Sequence, residues 1–228
     1  DVPILNDEYT GNVPTASFSD EVFNTFILRH LFELLFENKN DGNDCYEVVN
    51  QHNQKMSFSL DRTRQSFESS KIFIITLGLS EVWYNKKNGE VYKTAKSVGE
   101  YDKELHDFRV TTVEENAENL EYVIKTIRKN IKDASIIFTL SPVPLKATFR
   151  GMSCTVANSI SKAILRVALD KILNKYSNDE HLYYFPSYEL ILDCLPDPFE
   201  PDRRYIGPDT VDFTMTLFAN HYVVHTKE

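Results

Sequence analysis

The chain has 228 residues, 42% hydrophobic and 12% aromatic, which suits one medium α/β domain with a real core and argues against disorder. Lys and Arg total 25 against 34 Asp and Glu, a formal net charge of −9. With no basic run beyond pairs such as Lys86-Lys87 and Arg203-Arg204, nucleic acid and anionic membrane partners are disfavoured. Cys45, Cys154 and Cys194 are widely spaced and form no C-x-x-C, so neither a metal site nor a disulfide framework is expected. Reduced thiols would place the chain in a cytoplasmic setting. No cofactor is implied, and no apolar stretch approaches the ~20 residues of a membrane span.

In chain order, Val22, Phe23, Phe26, Ile27, Leu31, Leu34 and Leu35 fall at helical spacing, and Ser17 and Ser19 precede them as capping groups. The polar run 38–44 ends that helix. Lys71 to Gly78 is a continuous apolar run closed by glycine, a strand buried on both faces as in a parallel sheet. Residues 84–110 form a polar surface excursion with a turn at Asn88-Gly89. Thr112-x-x-Glu115 predicts a capping box, followed by helical spacing through Ala117, Leu120, Ile124, Ile127 and Ile131.

Ser135 to Ser141 is a second buried strand, stopped by Pro142 and Pro144. A helix over 157–176 presents Ile160, Ala163, Ile164, Val167, Ala168 and Ile172 as its apolar face. Leu182 to Phe185 is a third strand. Pro208 opens a last helix carrying Val211, Met215, Phe218 and Tyr222. Helices alternate with strands, which predicts an α/β fold: three layers, with a central, mostly parallel sheet between helices. Ligands in such sheets sit beyond the carboxyl ends of the strands. Here those ends carry Gly78 to Glu81, Ser141 to Leu145 and Ser187 to Glu189.

Four of these segments carry a family likeness. They are Thr76-Leu77-Gly78-Leu79-Ser80-Glu81-Val82-Trp83, Leu140-Ser141-Pro142-Val143-Pro144-Leu145 with Ala147-Thr148, Asn158-x-x-Ser161-Lys162 with Leu165-Arg166, and Tyr184-Phe185-Pro186-Ser187-Tyr188-Glu189. In this order they resemble the GSCFA branch of the SGNH (GDSL-like) esterase and acyltransferase superfamily. The resemblance implies an SGNH-type fold, close to the flavodoxin-like arrangement, and ester chemistry. In that chemistry a serine attacks an acyl carbon, a late D-x-x-H supplies the base, and preorganised donors hold the oxyanion. The family's Gly-Ser-Cys-Phe-Ala segment is absent as a string. Residues 1–228 are therefore expected as a single domain lacking its N-terminal strand and nucleophile segment, with that segment upstream of Asp1.

The resemblance places Asp202 and Tyr205 where D-x-x-H belongs, with tyrosine in the histidine position; an ordinary tyrosine, with a pKa of about 10, is a poor base. His106, beside Asp107 in the polar excursion, is the substitute base considered. His30 reads as a partly buried helix residue, His221 and His225 belong to the last helix or the tail and are minor candidates for the base, and His52 and His181 lie in polar loops and carry no signal. Gly78, Ser80 and Glu81 stand in the place of the superfamily's G-x-N-D. Ser80 is either a donor to a ligand oxygen or part of a plain strand-to-loop turn.

Ser161-Lys162 does not read as a dyad, because helix neighbours do not face each other. Asn158 and Ser161 share a face and are expected to order the loop at Ser141, with Glu189 as an acceptor for it. Cys154 lacks a thiolate-favouring setting. The expected substrate is a carbohydrate or other small-molecule ester. A degenerate module that binds a glycan or a protein partner is the alternative.

Overall fold

The computed structural model describes residues 5–6, 24–37, 45–49, 55–92 and 99–224. Among the described residues the elements follow in this order: β1 (Leu5–Asn6), α1 (Thr25–Phe36), β2 (Cys45–Val49), β3 (Lys55–Ser59), α2 (Leu60–Ser69), β4 (Ile72–Leu77), β5 (Glu81–Asn85), β6 (His106–Val110), α3 (Val113–Asn130), β7 (Ser135–Leu140), α4 (Cys154–Lys175), β8 (Leu182–Phe185), α5 (Ser187–Asp193), α6 (Pro208–Tyr222) and β9 (Val223–Val224).

The core is a parallel sheet in the order β4-β7-β8, with Ile72 opposite Ser135 and Ile136 opposite Leu182. Every residue of β7 is buried, as the apolar run predicts for a central parallel strand. Its side chains alternate between two layers. Ile136, Phe138 and Leu140 pack with α1, α3 and α4, whereas Ile137 joins Phe185 and Phe218 beneath α6. The protein is thus a mixed α/β fold with a mainly parallel central sheet flanked by helices. None of its described helices is long and apolar enough to cross a membrane.

Several expectations are corrected. β4 buries Phe73, Ile75 and Leu77 but leaves Ile74 54% exposed, because it is the edge of the described sheet rather than its middle. Ser17 and Ser19 lie outside the described residues. The cap of α1 is Asn24, whose side chain accepts from the amides of Phe26 and Ile27. The polar excursion proves to be a second structure, an antiparallel hairpin of β5 and β6. Its turn uses Gly89 at φ +74, a backbone region that side chains disfavour. Within 45–69, for which the sequence predicts no element, β2 and β3 pair antiparallel and β3 leads straight into α2.

The capping box at Thr112 and Glu115 forms as read, with both reciprocal bonds present. Its helix is tied to α1 by a buried polar bridge, in which Thr25 Oγ1 donates to Asn116 Oδ1 at 2.7 Å and accepts from Asn119 Nδ2 at 3.1 Å. The buried face of α4 is rotated from the one expected: Ala163 and Val167 are exposed, while Ser161, Lys162, Leu165 and Leu169 are buried. In α6, Val211 and Met215 are exposed, and Thr214 and Phe218 face inward.

Candidate functional site

One face of α4 holds the loops that leave β4 and β7. Cys154, Asn158, Ser161 and Lys162 recur at the three- and four-residue spacing that stacks side chains on a helix. The Ser80 amide donates to Ser161 Oγ at 2.8 Å, and the two hydroxyls lie 3.2 Å apart. From the other side, Thr111 donates to the Ser80 carbonyl through its amide at 2.8 Å and its hydroxyl at 2.9 Å. Ser80 is consequently fully buried and bonded on every polar atom.

Lys162 is 2% exposed and donates from Nζ to the Gly78 carbonyl at 2.6 Å. Burial pushes its pKa down to about 8, because removal from water disfavours the ammonium form. The neighbours Ser161 and Lys162 thus bind different atoms of one loop, in keeping with the geometry that argues against a dyad.

The β7 end is held in the same way. The Ser141 amide donates to the Leu77 carbonyl at 2.8 Å, which extends the sheet by one rung, and Ser141 Oγ accepts the Val143 amide at 3.2 Å. Asn158 Oδ1 accepts the Leu145 amide at 3.0 Å, and the Cys154 thiol donates to the Leu145 carbonyl at 3.2 Å. Glu189 does not serve this loop. It accepts from Arg166 Nε at 2.8 Å and from the Tyr184 hydroxyl, because α5 turns it toward β8 and α4. The side chain that reaches the end of β7 is Ser187, whose hydroxyl donates to the Leu140 carbonyl at 3.1 Å.

Glu81 is 8% exposed, and both of its carboxylate oxygens lie within 3.1 Å of Thr148 Oγ1. Burial pushes its pKa up, partly offset by the Thr148 hydroxyl and the positive charge of Arg150. Two residues along β5, the Trp83 ring meets Phe149 edge-on at 4.7 Å, with Phe108 and Tyr101 within 5.9 Å. Trp83 Nε1 and Arg150 Nη1 are buried and have no hydrogen-bond partner among the described residues. Sequence reasoning missed this group. Its only signal was that Glu81, Trp83 and Thr148 all lie in the family-like segments.

Gly78, Ser80, Glu81, Ser141 and Asn158 are therefore gathered at one sheet edge. Asp202, Tyr205 and His106 are not joined to them. Asp202 Oδ1 accepts the amides of Arg204 and Tyr205 at 2.9 and 3.1 Å, closing an exposed turn in which Tyr205 is 60% exposed. Among the described residues no hydrogen bond links this turn to Ser80 or Ser141. His106 pairs with Asn85 at the far end of the hairpin from Glu81, about 13 Å along the strand. Its Nδ1 accepts the Asp102 amide at 2.9 Å and its ring packs on Tyr92. His30, His181 and His221 are exposed, so His30 is not the partly buried residue expected; His52 and His225 lie outside the described residues.

The GSCFA family model matches residues 6–218. The chain belongs to the GSCFA family. The match begins ahead of α1, so the expectation that this chain lacks the family's opening segment is not borne out. Among curated proteins none matches. A solved structure that does is an acetyl xylan esterase from the rumen bacterium Butyrivibrio proteoclasticus, at 15% identity and a TM-score of 0.31. The GSCFA chain aligns over 66% of its own length and only 36% of that esterase. A likeness this distant carries no argument about activity.

Proposed function

We propose that this GSCFA chain is an SGNH-like ester hydrolase or O-acyltransferase for acyl groups on a carbohydrate or glycoconjugate, with its substrate at the carboxyl edge of β4 and β7. The observation that carries the reading is the pinned Gly78–Ser80 loop. Lys162 draws the Gly78 carbonyl toward α4. All peptide bonds of the described chain are trans, so the Leu79 N–H points the opposite way. That leaves a fixed backbone donor at a strand end, backed by a buried amine. Donors held rigid before charge develops are what an acyl-transfer oxyanion requires.

The hydroxyls of Ser80 and Ser141 are engaged with their own loops, so the attacking serine is assigned to residues outside those described. Asp202 and Tyr205 keep the acid–base role by their place just before α6. His106 is the alternative base only if the β5–β6 hairpin folds over the edge.

The test is hydrolysis of p-nitrophenyl acetate and of acetylated oligosaccharides, run beside labelling with a serine-directed fluorophosphonate and intact-mass detection. Turnover with a single adduct is expected. The absence of both turnover and adduct overturns the reading.

One observation favours a second reading, a non-catalytic module that binds its glycan at the same edge. Asp202 is already occupied in its own turn, and no histidine meets the strand ends among the described residues. Saturable glycan binding without any adduct is its signature, and one covalent adduct removes it.

A further inference from the structure

We propose that Lys162 is a positioning residue whose ammonium, seated behind the Gly78–Leu79 peptide, sets the strength of the Leu79 N–H as an oxyanion donor, so that acyl transfer at this edge slows when Nζ gives up its proton. The inference rests on the ester reading above and adds how that site is regulated.

Lys162 is 2% exposed, and among the described residues its one hydrogen bond runs from Nζ to the Gly78 carbonyl at 2.6 Å. That carbonyl and the Leu79 N–H are the two ends of one trans peptide. A proton held on the oxygen draws electron density away from the nitrogen, so the N–H becomes a better donor on the opposite side. The loop cannot swing to relieve the pull, because Ser161 and Thr111 fix Ser80 from two sides. Leu79 is half-buried, whereas the Lys162 side chain is sealed beneath the loop. The amine therefore acts through the peptide and needs no contact with the substrate.

Holding a backbone group does not call for charge. On the same face of α4, Ser161 holds the Ser80 amide and Asn158 the Leu145 amide with neutral groups. A buried lysine carries a desolvation cost that a hydroxyl or amide avoids. What it adds is a positive charge about 8 Å from an oxyanion seated on the Leu79 N–H. Charge at that distance in a partly buried site is worth about tenfold in rate.

The charge is also removable. Burial alone acts on Lys162 and brings its pKa down to about 8, with no charged neighbour contributing among the described residues. Arg166 on α4 is paired with Glu189 of α5, which also accepts from Tyr184 of β8. Across the contact with α3, Glu114 pairs with Lys171, farther along α4. Glu81 of β5 is turned to Thr148, and Arg109 of β6 is paired with Glu115. The strand β7 carries no ionisable side chain. Below about pH 8 the peptide is thus backed by an ammonium, and above it by a neutral amine.

Gly78-Leu79 is the one Gly-Leu step of the chain. Protein labelled with carbonyl carbon-13 glycine and nitrogen-15 leucine therefore gives a single carbon-detected cross-peak from this peptide. In the parent that peak is expected to move with a midpoint near pH 8, and in Lys162→Met to stay fixed. Hydrolysis of p-nitrophenyl acetate, corrected for the hydroxide background, is expected to run about tenfold faster in the parent than in Lys162→Met at pH 6.5, with the gap closed by pH 9.5. The parent titration needs no variant, so it decides the matter if Lys162→Met misfolds. A cross-peak that does not titrate, or titrates equally in Lys162→Met, overturns the inference and leaves the ester reading standing. A titrating peak beside a turnover ratio that is constant with pH overturns it as well. A titrating peak with no turnover at any pH supports the proton control of this peptide while removing the ester reading.

Discussion

Ser80 is fully buried and bonded to Ser161 and Thr111, whereas Tyr205 is 60% exposed in a turn held by its own Asp202. Both segments were singled out for the same chemistry, and the fold treats them oppositely. The Gly78–Ser80 loop takes its shape from partners more than eighty residues away, on α4. The Asp202–Tyr205 turn takes its shape from neighbours two and three residues along. A loop pinned from outside keeps its geometry when empty. A self-contained exposed turn is free to differ between empty and occupied states. The rigid segment is thus the loop after β4 and the self-contained one is the turn before α6.

Substitutions grade this contrast. The largest effect is expected at Lys162. Lys162→Ala removes a buried stem and orphans the Gly78 carbonyl, and is expected to cost about 3 kcal/mol in chemical unfolding. Lys162→Met keeps the stem and removes the charge, and is expected to stay within about 1 kcal/mol of the parent near pH 7, because an isosteric apolar group offsets the loss of a poorly solvated charge.

pH sharpens the test. The folded pKa of Lys162, about 8, lies below its unfolded value. Between the two the unfolded state binds more protons, so the parent gains stability as pH rises from about 8 toward the ordinary lysine range near 10.4. Lys162→Met has no such gain, so the stability of the parent relative to it grows over that window. A constant gap between pH 7 and pH 9.5 breaks the buried-charge account.

Next is Ser161→Ala, which leaves the Ser80 amide buried without an acceptor, with an expected cost of about 2 kcal/mol read from the shift in denaturant midpoint. Asn158→Ala frees only the half-buried Leu145 amide and is expected to cost about 1 kcal/mol by the same measurement. The smallest effect is Asp202→Ala, under about 0.5 kcal/mol, since its turn is exposed to water. If Asp202→Ala destabilises as much as Ser161→Ala, the contrast between pinned and self-contained loops is wrong.

The family-like segments were legible because they are short and contiguous, and three of the four fall on the strand ends. The face of α4 shows why legibility stopped there. Apolar spacing picked out Ala163 and Val167, which are exposed, and passed over Ser161 and Lys162, which are buried. A period of hydrophobic residues cannot mark a face whose inward positions are polar and satisfied by another loop. The β5–β6 hairpin was missed for a related reason. Its strands carry mixed residues such as Glu81, Asn85, His106 and Arg109, and they declare themselves only by pairing with each other.

By itself the sequence determined the alternation of helices and strands, the capping box at Thr112, the parallel central strands and the GSCFA likeness. All of these depend on residues close together in the chain, where periodicity and turn chemistry act. Tertiary structure alone decided that Lys162 binds Gly78, that Thr148 reaches Glu81, and that His106 lies opposite Asn85 at the far end of the hairpin. Those contacts join positions that share no local pattern, and only the packing of α4 and the 148–150 turn on the strand ends brings them within reach.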